Sequence, residues 1–464
     1  MHPIKRIVPA NLRAFQNMTF YKIMRKISSM FSRCLATLFA LFLVETASLH
    51  AENWPQWRGP ALNGSTTETN LPVNWSATEN IAWTTPLPGW SGATPAVWGD
   101  SVFVSSPDEQ HGLNLICIDR KNGKVRWQKK IADGDMEKGR SNMTSPSPVT
   151  DGRAVYQLYG TGPLAALDFD GKILWQRDLA KEFGKFSIMW FYGSSPLLYK
   201  DRLYVQVLQR NPSSYPHSED DKGPNRESFL LCIDPKTGKD IWRHVRPTDA
   251  RDESQESFAT PVPFEGKNGP QLIVVGGDCV SGHDFSDGHE LWRCGGLNPK
   301  RLGDRRVVPS PLTSENLVFV CGPKHEPLIA VRPDGKGDVT ATHTAWTNTE
   351  ATPDCATPLL YQGKLFVLDG DRKTLTCFKP DTGEKIWTGS LGVGEIFRAS
   401  PTGADGKIYM IGENGTCVIA GAGDEFKILA TIPMDDKPVR ASIVASQGQL
   451  FIRGAKNLYC IGKK

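Results

Sequence analysis

The stretch Leu375–Trp387 (LTCFKPDTGEKIW) recurs in close copies along most of the chain. It predicts a strand, a tight turn in which Pro fixes φ and Gly accepts a positive φ, and a second strand that ends in Trp. A single hairpin of this kind cannot bury its own apolar face, so the copies must stack. Further copies stand at Leu115–Trp127, Ala165–Trp175, Leu230–Trp242 and Gly282–Trp292.

Each copy belongs to a longer unit that begins with Ser or Thr followed by Pro. The seven beginnings are Thr94-Pro95, Ser147-Pro148, Ser195-Pro196, Thr260-Pro261, Ser310-Pro311, Thr357-Pro358 and Ser400-Pro401, spaced 43 to 65 residues apart. A short strand, a polar turn, an alternating strand and then the hairpin follow each beginning. Four short strands at this spacing, with no helical periodicity between them, predict a β-propeller.

An eighth unit is present but lacks its outer strand. Its three strands lie within Val439–Ile461, while the early strand Asn80–Leu87 has no hairpin partner nearby. Placed beside the C-terminal strands, the early strand completes the last sheet and closes the ring. We therefore expect an all-β chain in which residues 52–464 form one eight-bladed β-propeller. Blades five and seven are degenerate, with Trp346 as the candidate for the fifth outer strand and Phe426–Ala430 in place of the seventh Trp strand.

Residues 1–51 have the pattern of an export signal. A basic segment precedes the apolar run Leu35–Val44, and Ser48–Ala51 offers a cleavage region. The run is shorter than the roughly 20 residues that span a bilayer. Met24 or Met30 is a more ordinary start for such a signal. The prediction is a periplasmic or extracellular protein with no transmembrane anchor in its mature chain.

The charge of the chain argues against a nucleic-acid partner. The formal net charge of +4 arises in residues 1–51, which hold seven Lys and Arg residues against one Glu. The remainder has a net charge of −2 and no concentrated basic block, which nucleic-acid binding would require. With 44 Gly and 33 Pro among 464 residues, the composition is that of a loop-rich globular protein, which we expect to be a monomer.

The pattern Asp-x-x-x-Gly-Lys-x-x-Trp, at Asp119–Trp127 and Asp234–Trp242, resembles the tryptophan-docking repeat of pyrroloquinoline-quinone (PQQ) type propellers, the quinoprotein alcohol dehydrogenase-like superfamily. The openings Trp54–Pro60 (WPQWRGP) and Trp90–Pro95 resemble exported bacterial PQQ-like repeat proteins. The resemblance covers Asn80–Ile461 and implies eight blades in which each Trp docks onto the neighbouring blade. The residues that match this role are Trp83, Trp127, Trp175, Trp242, Trp292 and Trp387.

Dehydrogenases of this superfamily are similar in having a vicinal cysteine pair over the quinone, a calcium ion and a catalytic Asp. This chain has no Cys-Cys pair, no Cys-x-x-Cys-His haem motif, and none of the zinc, P-loop or nucleophile-elbow motifs. We therefore expect a binding or scaffolding module with no cofactor, metal or catalytic residue. The alternatives are a dehydrogenase that uses PQQ and calcium in an atypical site, and a carbohydrate-binding propeller. A propeller lipoprotein of outer-membrane β-barrel assembly is a further relative, although Cys34 precedes the apolar run and does not resemble a lipid-attachment site.

Most cysteines are interpreted as small packing residues and not as disulfide partners. Cys117, Cys232, Cys377, Cys417 and Cys460 are assigned to one position of the third strand, where other repeats have Ala166, Gly282 and Ala330. A free Cys serves there as a small apolar group. Cys279 and Cys294, in one blade, are a speculative disulfide, and Cys321 and Cys355 fall outside the pattern.

A ligand site, if present, is expected at one mouth of the central channel. The loops that enter the innermost strands converge there, together with the loops between second and third strands. Arg binds carboxylates and aromatic rings stack on sugars, so we predict an anion-accepting or sugar-stacking pocket for a protein, small-molecule or glycan ligand. The alternative is a salt-bridged channel lining. The candidates are Trp90, Arg140, Asn142, Trp190, Tyr192, Glu256, Arg306, Asp354, Arg398 and Arg440.

Two insertions interrupt the repeats. Leu208–Ser228 is a long polar loop of the third blade, which either reaches a partner or is mobile. Lys181–Tyr192 is aromatic in its second half and is interpreted as a lid, a contact surface or a buried structural element.

Overall fold

The computed structural model describes residues 52–76, 79–210, 226–267 and 269–462. The signal predicted at residues 1–51 and most of the polar insertion of the third blade lie outside these residues. The described chain forms eight antiparallel sheets of four strands, and the fourth sheet carries one additional parallel strand. The prediction of an eight-bladed β-propeller is therefore confirmed. We name the strands of each blade A to D, from the channel outward.

Strands A to D of the first four blades are as follows. Blade 1 comprises Ala96–Trp98, Ser101–Pro107, Gly112–Asp119 and Val125–Asp133. Blade 2 comprises Val149–Thr150, Ala154–Leu158, Pro163–Asp168 and Ile173–Asp178. Blade 3 comprises Leu197–Tyr199, Arg202–Val207, Phe229–Ile233 and Asp240–Val245. Blade 4 comprises Val262–Gly266, Gly269–Gly276, Cys279–Asp284 and Glu290–Cys294, with Gly337–Asp338 as its parallel addition.

The second half of the ring repeats this arrangement. Blade 5 comprises Leu312–Thr313, Val318–Cys321, Leu328–Val331 and Thr344–Asn348. Blade 6 comprises Leu359–Tyr361, Lys364–Asp369, Thr374–Phe378 and Lys385–Ser390. Blade 7 comprises Thr402–Ala404, Lys407–Ile411, Cys417–Gly421 and Ile428–Ile432. Blade 8 comprises Val444–Ser446, Gln449–Arg453, Asn457–Ile461 and, from the other end of the chain, Ile81–Pro86. The remaining elements are a small hairpin of Glu137–Lys138 with Ser141–Asn142, the helix Leu179–Phe183 and the 3₁₀ helix Asp252–Gln255.

A closed ring of eight hydrogen bonds joins the starts of the blades. In each blade, the backbone N–H of the initial Ser or Thr donates to the side-chain hydroxyl of the corresponding residue in the next blade, at 2.7–3.2 Å. All members are buried, and Ser442 donates back to Thr94. Ser442 is followed by Ile443 and not by Pro, so the Ser/Thr-Pro pattern misses it. The ring consists of Thr94, Ser147, Ser195, Thr260, Ser310, Thr357, Ser400 and Ser442.

The glycine of each repeat turn is explained by the Trp of the preceding blade. Trp83, in strand D of blade 8, donates from Nε1 to the carbonyl oxygen of Arg120 in the turn of blade 1, at 2.7 Å. Its ring packs on Gly123, whose φ is +73° and whose added Cβ would lie 2.7 Å from that ring. The glycine is therefore required both for its backbone conformation and for the neighbour's indole. The same arrangement joins Trp127 to Gly171, Trp175 to Gly238, Trp242 to Gly288 and Trp346 to Gly383.

Two blades depart from this arrangement, the first being blade 4. Trp292 is fully buried and donates from Nε1 to Oε1 of Gln271 in its own sheet, at 2.7 Å. Gln271 in turn donates from Nε2 to the carbonyl oxygen of Pro333, in the turn of blade 5, at 3.0 Å. The link to the next blade is therefore relayed through an amide side chain. In blade 6, Trp387 keeps the direct form and donates to the carbonyl oxygen of Gly423 at 3.1 Å.

The second departure is blade 7, where Ala430 stands opposite strand C in place of a Trp. Strands C and D of blade 8 come from opposite ends of the chain, so blade 8 has no turn on which a Trp could dock. A hydrogen bond from Gly462 N–H to the Asn80 carbonyl oxygen, 2.8 Å long, joins those strands instead. The apolar space between blades 7 and 8 is filled by Leu71 and Trp75, which are buried in their shared core.

The register of the sheets corrects one assignment made from the sequence. Cys117, Cys232, Cys377 and Cys460 each lie opposite the Trp of the outer strand, where a small side chain leaves room for the indole. The same assignment is wrong for Cys417, which faces Ile432. The position in blade 7 belongs to Ile419, opposite Ala430, so a large and a small side chain have exchanged strands there.

The cysteines outside that position also lack disulfides. Among the described residues, all nine cysteines are free thiols, including Cys279 and Cys294. The speculative bond between these two is therefore not formed.

The segment of residues 54–66, ahead of the first strand, crosses the channel. Gln56 exchanges two hydrogen bonds with the backbone of Leu198 in strand A of blade 3, at 3.1 and 3.2 Å. Arg58 donates to backbone carbonyl oxygens that belong to blades 6 and 7. Because blade 3 lies opposite blade 7 in a ring of eight, this segment spans the channel and closes it at one end.

Candidate functional site

The loops that lead from strand D of one blade to strand A of the next meet around one cavity of about 510 Å³. Members of the Ser/Thr ring form its deeper wall, and Trp57, from the crossing segment, lies at its floor. The cavity is therefore a blind cup whose opening is the channel mouth. Six of the ten predicted residues line it, namely Arg140, Trp190, Arg306, Asp354, Arg398 and Arg440.

Inside the cup, two arginines are held by carboxylates. Arg306 makes two hydrogen bonds to Asp354, at 2.9 and 3.1 Å, and Arg398 makes two to Asp371, at 2.8 and 3.2 Å. The backbone N–H of Lys324 also donates to Asp354 at 3.1 Å. Burial alone would raise the pKa of Asp354, but the hydrogen bonds and charge of Arg306 outweigh it and hold that pKa below its usual range. Both guanidinium groups are thus fixed in place before any ligand arrives.

At the rim, one carboxylate serves two arginines. Arg140 and Arg440 each donate from Nε to the same Oε1 of Glu413, at 3.0 and 3.1 Å. The guanidinium of Arg440 also stacks on Trp90, 4.6 Å from the ring centroid. Trp90 is fixed in turn by its Nε1–H, which donates to Glu137 at 2.5 Å. Trp90 therefore contributes to the rim and not to the wall of the cup.

Trp190 stands on the opposite side of the small hairpin that carries Arg140. Its Nε1 donates to Glu253 at 2.9 Å, and the ammonium of Lys138 lies 5.6 Å from its ring centroid. Gly139, at the hairpin tip, has a φ of +60°, and a Cβ added to it would lie 3.1 Å from this ring. About a third of Trp190 stays exposed. This is the one predicted aromatic side chain that lines the cup.

Three predicted residues shape the loops and lie outside the cup. Asn142 is buried and donates from Nδ2 to the carbonyl oxygen of Trp90 at 2.7 Å. Tyr192 is buried and donates to the carbonyl oxygen of Gln206 at 2.8 Å. Glu256 is buried against Arg210, 2.5 Å from its Nε, and accepts from the backbone N–H of Met189.

Several lining residues were not among the predicted ten. Lys324 lies in the loop between strands B and C of blade 5, a loop class that the sequence placed at the mouth, so its charge was a usable signal. Glu253 sits in the 3₁₀ helix Asp252–Gln255, and Trp57 sits in the crossing segment; neither follows the repeat. Cys355, next to Asp354, also lines the cup.

The lining carries an excess of positive charge. It contains five cationic side chains and two carboxylates. Three carboxylates outside this lining also pair with its cations: Asp304 with Lys324, Asp371 with Arg398, and Glu413 with the two rim arginines. A concave wall of this sign attracts anions, and guanidinium groups bind carboxylate or phosphate oxygens with two hydrogen bonds. The cationic residues are Arg140, Arg306, Lys324, Arg398 and Arg440, and the acidic ones are Glu253 and Asp354.

The residues of the cup do not fit a calcium-assisted quinone. Calcium takes six to eight oxygen ligands, whereas the two lining carboxylates, Glu253 and Asp354, both face Arg306. The one lining thiol, Cys355, has no neighbouring cysteine in the sequence. Among the described residues, one group of possible metal ligands, Asp284, Asp287 and His289, lies in the outer turn of blade 4 and not in the cup.

Comparisons with known proteins agree with this architecture. A family model described as outer membrane protein assembly factor BamB matches residues 64–213, about a third of the chain. The matched part of the chain is similar to this family, and the described chain is an eight-bladed β-propeller. No curated protein sequence matches it.

Solved structures extend the likeness in fold to most of the chain's length. BamB from Moraxella catarrhalis aligns with a TM-score of 0.58 at 12% identity, over 82% of this chain and 99% of that one. A europium-containing methanol dehydrogenase aligns with a TM-score of 0.63 at 10% identity, over 89% and 98%. A quinohemoprotein alcohol dehydrogenase, ADHIIG from Pseudomonas putida HK5, aligns with a TM-score of 0.60 at 10% identity, over 89% and 81%. At such identities the likeness shows a common fold alone and says nothing about activity. In the described parts of the chain, no helix has the length and apolar content needed to cross a membrane.

Proposed function

We propose that this PQQ-like propeller is an exported, non-catalytic binding module whose channel cup holds a compact anionic ligand. The blind cup carries the proposal, because five cationic side chains and two carboxylates converge above a closed floor. A volume of about 510 Å³ lies within the range of small-molecule sites. A closed floor also means that a ligand enters and leaves through the mouth alone, so a polymer could present an end but could not thread through.

The arrangement supports binding through preorganisation. Arg306 and Arg398 are held by Asp354 and Asp371, so little side-chain entropy remains to be lost when a ligand oxyanion binds beside them. Trp190 offers a partly exposed ring at the wall on which a planar ligand can stack.

The proposal is tested by titration calorimetry with benzene-1,3,5-tricarboxylate as the probe and the uncharged benzene-1,3,5-trimethanol as its control. We expect the tricarboxylate alone to bind, with affinity that falls as salt rises. Arg398→Gln should weaken binding at least tenfold, while Arg126→Gln, on the outer strand of blade 1, should leave it unchanged. Equal binding of both probes, or no binding of either, would contradict an anion-binding cup.

The dehydrogenase and carbohydrate alternatives each have their own test. Purified protein reconstituted with PQQ and calcium should show no alcohol-dependent dye reduction. Turnover that disappears in Asp354→Asn or Arg398→Gln would overturn the non-catalytic proposal. Glycan-array binding that is lost in Trp90→Ala or Trp190→Ala would instead support a carbohydrate ligand.

Export is proposed from the pattern of residues 1–51 and is supported by the compact unit that starts at Glu52. Protein recovered from the periplasm or medium should begin near Ala51 or Glu52 by N-terminal sequencing. Intact residues 1–51 on the recovered protein would refute cleavage there.

A protein partner is the second candidate, favoured by apolar side chains exposed around the mouth. Met136 is 51% exposed, and Leu302 and Trp190 are each 37% exposed. The matched family model is described as an outer-membrane assembly factor, so we propose a component of such an assembly as the partner. Cross-linking in cells should give an adduct that disappears in Met136→Glu and Leu302→Glu and persists in Leu174→Glu, an exposed control on blade 2. An adduct unaffected by the first two changes would exclude the mouth as its interface.

A further inference from the structure

The rim of the cup contains a pair of arginines that is incompletely neutralised. Arg140 comes from the loop between blades 1 and 2, and Arg440 from the loop between blades 7 and 8, yet both donate to one oxygen of Glu413. One negative charge therefore faces two positive charges. This differs from the interior, where Arg306 and Arg398 each have a carboxylate of their own.

The bonds to Glu413 use Nε in both arginines and leave the terminal nitrogens available. Within residues 52–76, 79–210, 226–267 and 269–462, the Nη nitrogens of Arg140 and Arg440 have no hydrogen-bond acceptor. These are the atoms with which guanidinium groups bind oxyanions. The Arg140 side chain is 56% exposed, so its Nη atoms are accessible from solvent.

A separate recess adjoins this pair. It has a volume of about 530 Å³, and Lys437 supplies a third cationic side chain to its wall. Glu413 is the one carboxylate in that wall. Arg140 and Arg440 line both the recess and the cup, so the two spaces adjoin at the rim.

Three contacts fix the position of this pair. Arg140 sits at the tip of the hairpin Glu137–Lys138 with Ser141–Asn142, which is braced by Trp90 on Glu137 and by Lys138 on Trp190. Arg440 is held by its stacking on Trp90. The cationic atoms are therefore preorganised although they lie near solvent.

We propose that this recess is an oxyanion subsite that binds a phosphate or sulfate group through Arg140, Arg440 and Lys437. The group is either a free inorganic anion or the charged end of a ligand whose remainder occupies the cup. The second case rests on the proposed function; the first does not. Glu413 bonds the Nε atoms beside those Nη atoms, so its negative charge repels the oxyanion and sets a moderate affinity.

The experiment is calorimetric titration of the full mature chain with inorganic pyrophosphate and with inorganic sulfate. Arg140→Gln and Arg440→Gln should each weaken binding at least fivefold. Glu413→Gln should strengthen binding at least threefold, because it removes the negative charge that lies beside the two guanidinium groups. Arg126→Gln, which removes an arginine that pairs with Asp119 far from the rim, is the matched control and should bind as the native chain does.

The proposal is falsifiable because anion binding should weaken in Arg140→Gln and strengthen in Glu413→Gln. If the ion pair were purely structural, loss of either partner would weaken anion binding. Unchanged or weakened binding in Glu413→Gln would overturn the subsite, provided that circular dichroism shows native folding. Lys437→Gln provides a second test with little risk to folding, because Lys437 forms no ion pair among the described residues. This substitution should weaken anion binding at least twofold.

Failure of this inference is distinguishable from failure of the proposed function. Suppose that benzene-1,3,5-tricarboxylate binds, that its binding depends on Arg398, and that pyrophosphate and sulfate do not bind. The subsite proposal is then refuted and the proposal of an anion-binding cup is retained. If pyrophosphate binds and the variants change its affinity in the expected directions while the tricarboxylate does not bind, the proposal of an anion-binding cup is refuted and the rim binds free anions. Competition between the two probes would show that one ligand can occupy both spaces.

Discussion

The two ends of the channel use the same residue type in opposite ways. At the floor, Arg58 is buried and donates to the carbonyl oxygens of Asn63, Pro358 and Pro401, at 2.8–2.9 Å. Burial lowers the pKa of Arg58 to about 9. At the mouth, the arginines are partly exposed and face carboxylates.

The difference teaches which arginines hold the fold and which can serve a ligand. Carbonyl oxygens of the backbone cannot move away without disturbing the blades, so the contacts of the floor are permanent. At the rim, the Arg140 side chain is 56% exposed, and an ion pair that is so exposed contributes only about 0–1 kcal/mol, so Arg140 can exchange its partner at little cost. We therefore expect changes at the floor to alter stability and changes at the mouth to alter binding.

The largest effect is expected from Arg58→Ala. It removes the donor from two buried carbonyl oxygens and one partly buried one, and it breaks the contacts of the crossing segment with blades 6 and 7. The loss should cost about 3 kcal/mol of unfolding free energy. Urea denaturation followed by tryptophan fluorescence measures the change. Arg140→Ala, the matched change at the mouth, should cost less than about 0.5 kcal/mol. Equal losses in the two variants would remove the distinction between the channel ends.

An intermediate effect is expected within the Ser/Thr ring that separates the two ends. Thr94→Val keeps the shape of the side chain but removes the hydroxyl that accepts from the N–H of Ser442. A buried N–H without an acceptor should cost about 1–2 kcal/mol. Thr94→Ser should restore most of the stability in the same thermal or urea measurement. If the serine variant is as unstable as the valine variant, the loss comes from packing and not from the ring.

The smallest effect is expected at the mouth and depends on pH. Asp135 is buried beside the rim hairpin and accepts from Met143 N–H at 3.1 Å; burial, with a minor contribution from Glu137, raises its pKa to about 6. Because the folded pKa lies above the unfolded value of 3.8, ionisation of Asp135 opposes folding, and its cost appears as pH rises from about 4 to above 6. Asp135→Asn should thus stabilise the protein by about 1 kcal/mol at pH 7.5 and by almost nothing at pH 4. A difference in stability that is constant between these pH values would contradict this reason.

The fold was predictable because the repeat records a contact between blades. Each turn glycine contacts the indole of the preceding blade, as Gly123 contacts Trp83. The Trp four residues after that glycine packs in turn on the glycine of the next blade, as Trp127 does on Gly171. The relay through Gln271 was not predictable, since a glutamine in strand B carries no periodic signal. The error at Cys417 has a similar cause, because blade 7 exchanges the large and small positions and only the register reveals it.

The candidate site was predictable where it follows the repeat. Residues just before each blade start were expected at the mouth, and six of the ten line the cup. Trp57 could not be placed, because which side of a ring a non-repeating segment crosses depends on contacts with distant blades. The segment did carry a signal in hindsight, since two tryptophans and an arginine in a loop of Pro and Gly need a buried partner.

The placement of Leu71 and Trp75 between blades 7 and 8 bears on where this domain begins. A boundary drawn at the first strand, Ile81, would retain every sheet and look complete by any count of repeats. It would nevertheless discard the segment that closes the channel, together with Trp75, whose indole packs beside blade 7, where the outer strand has Ala430 and no Trp. For domain annotation, and for any shortened version made for expression, the folding unit of this propeller is larger than the sum of its repeats.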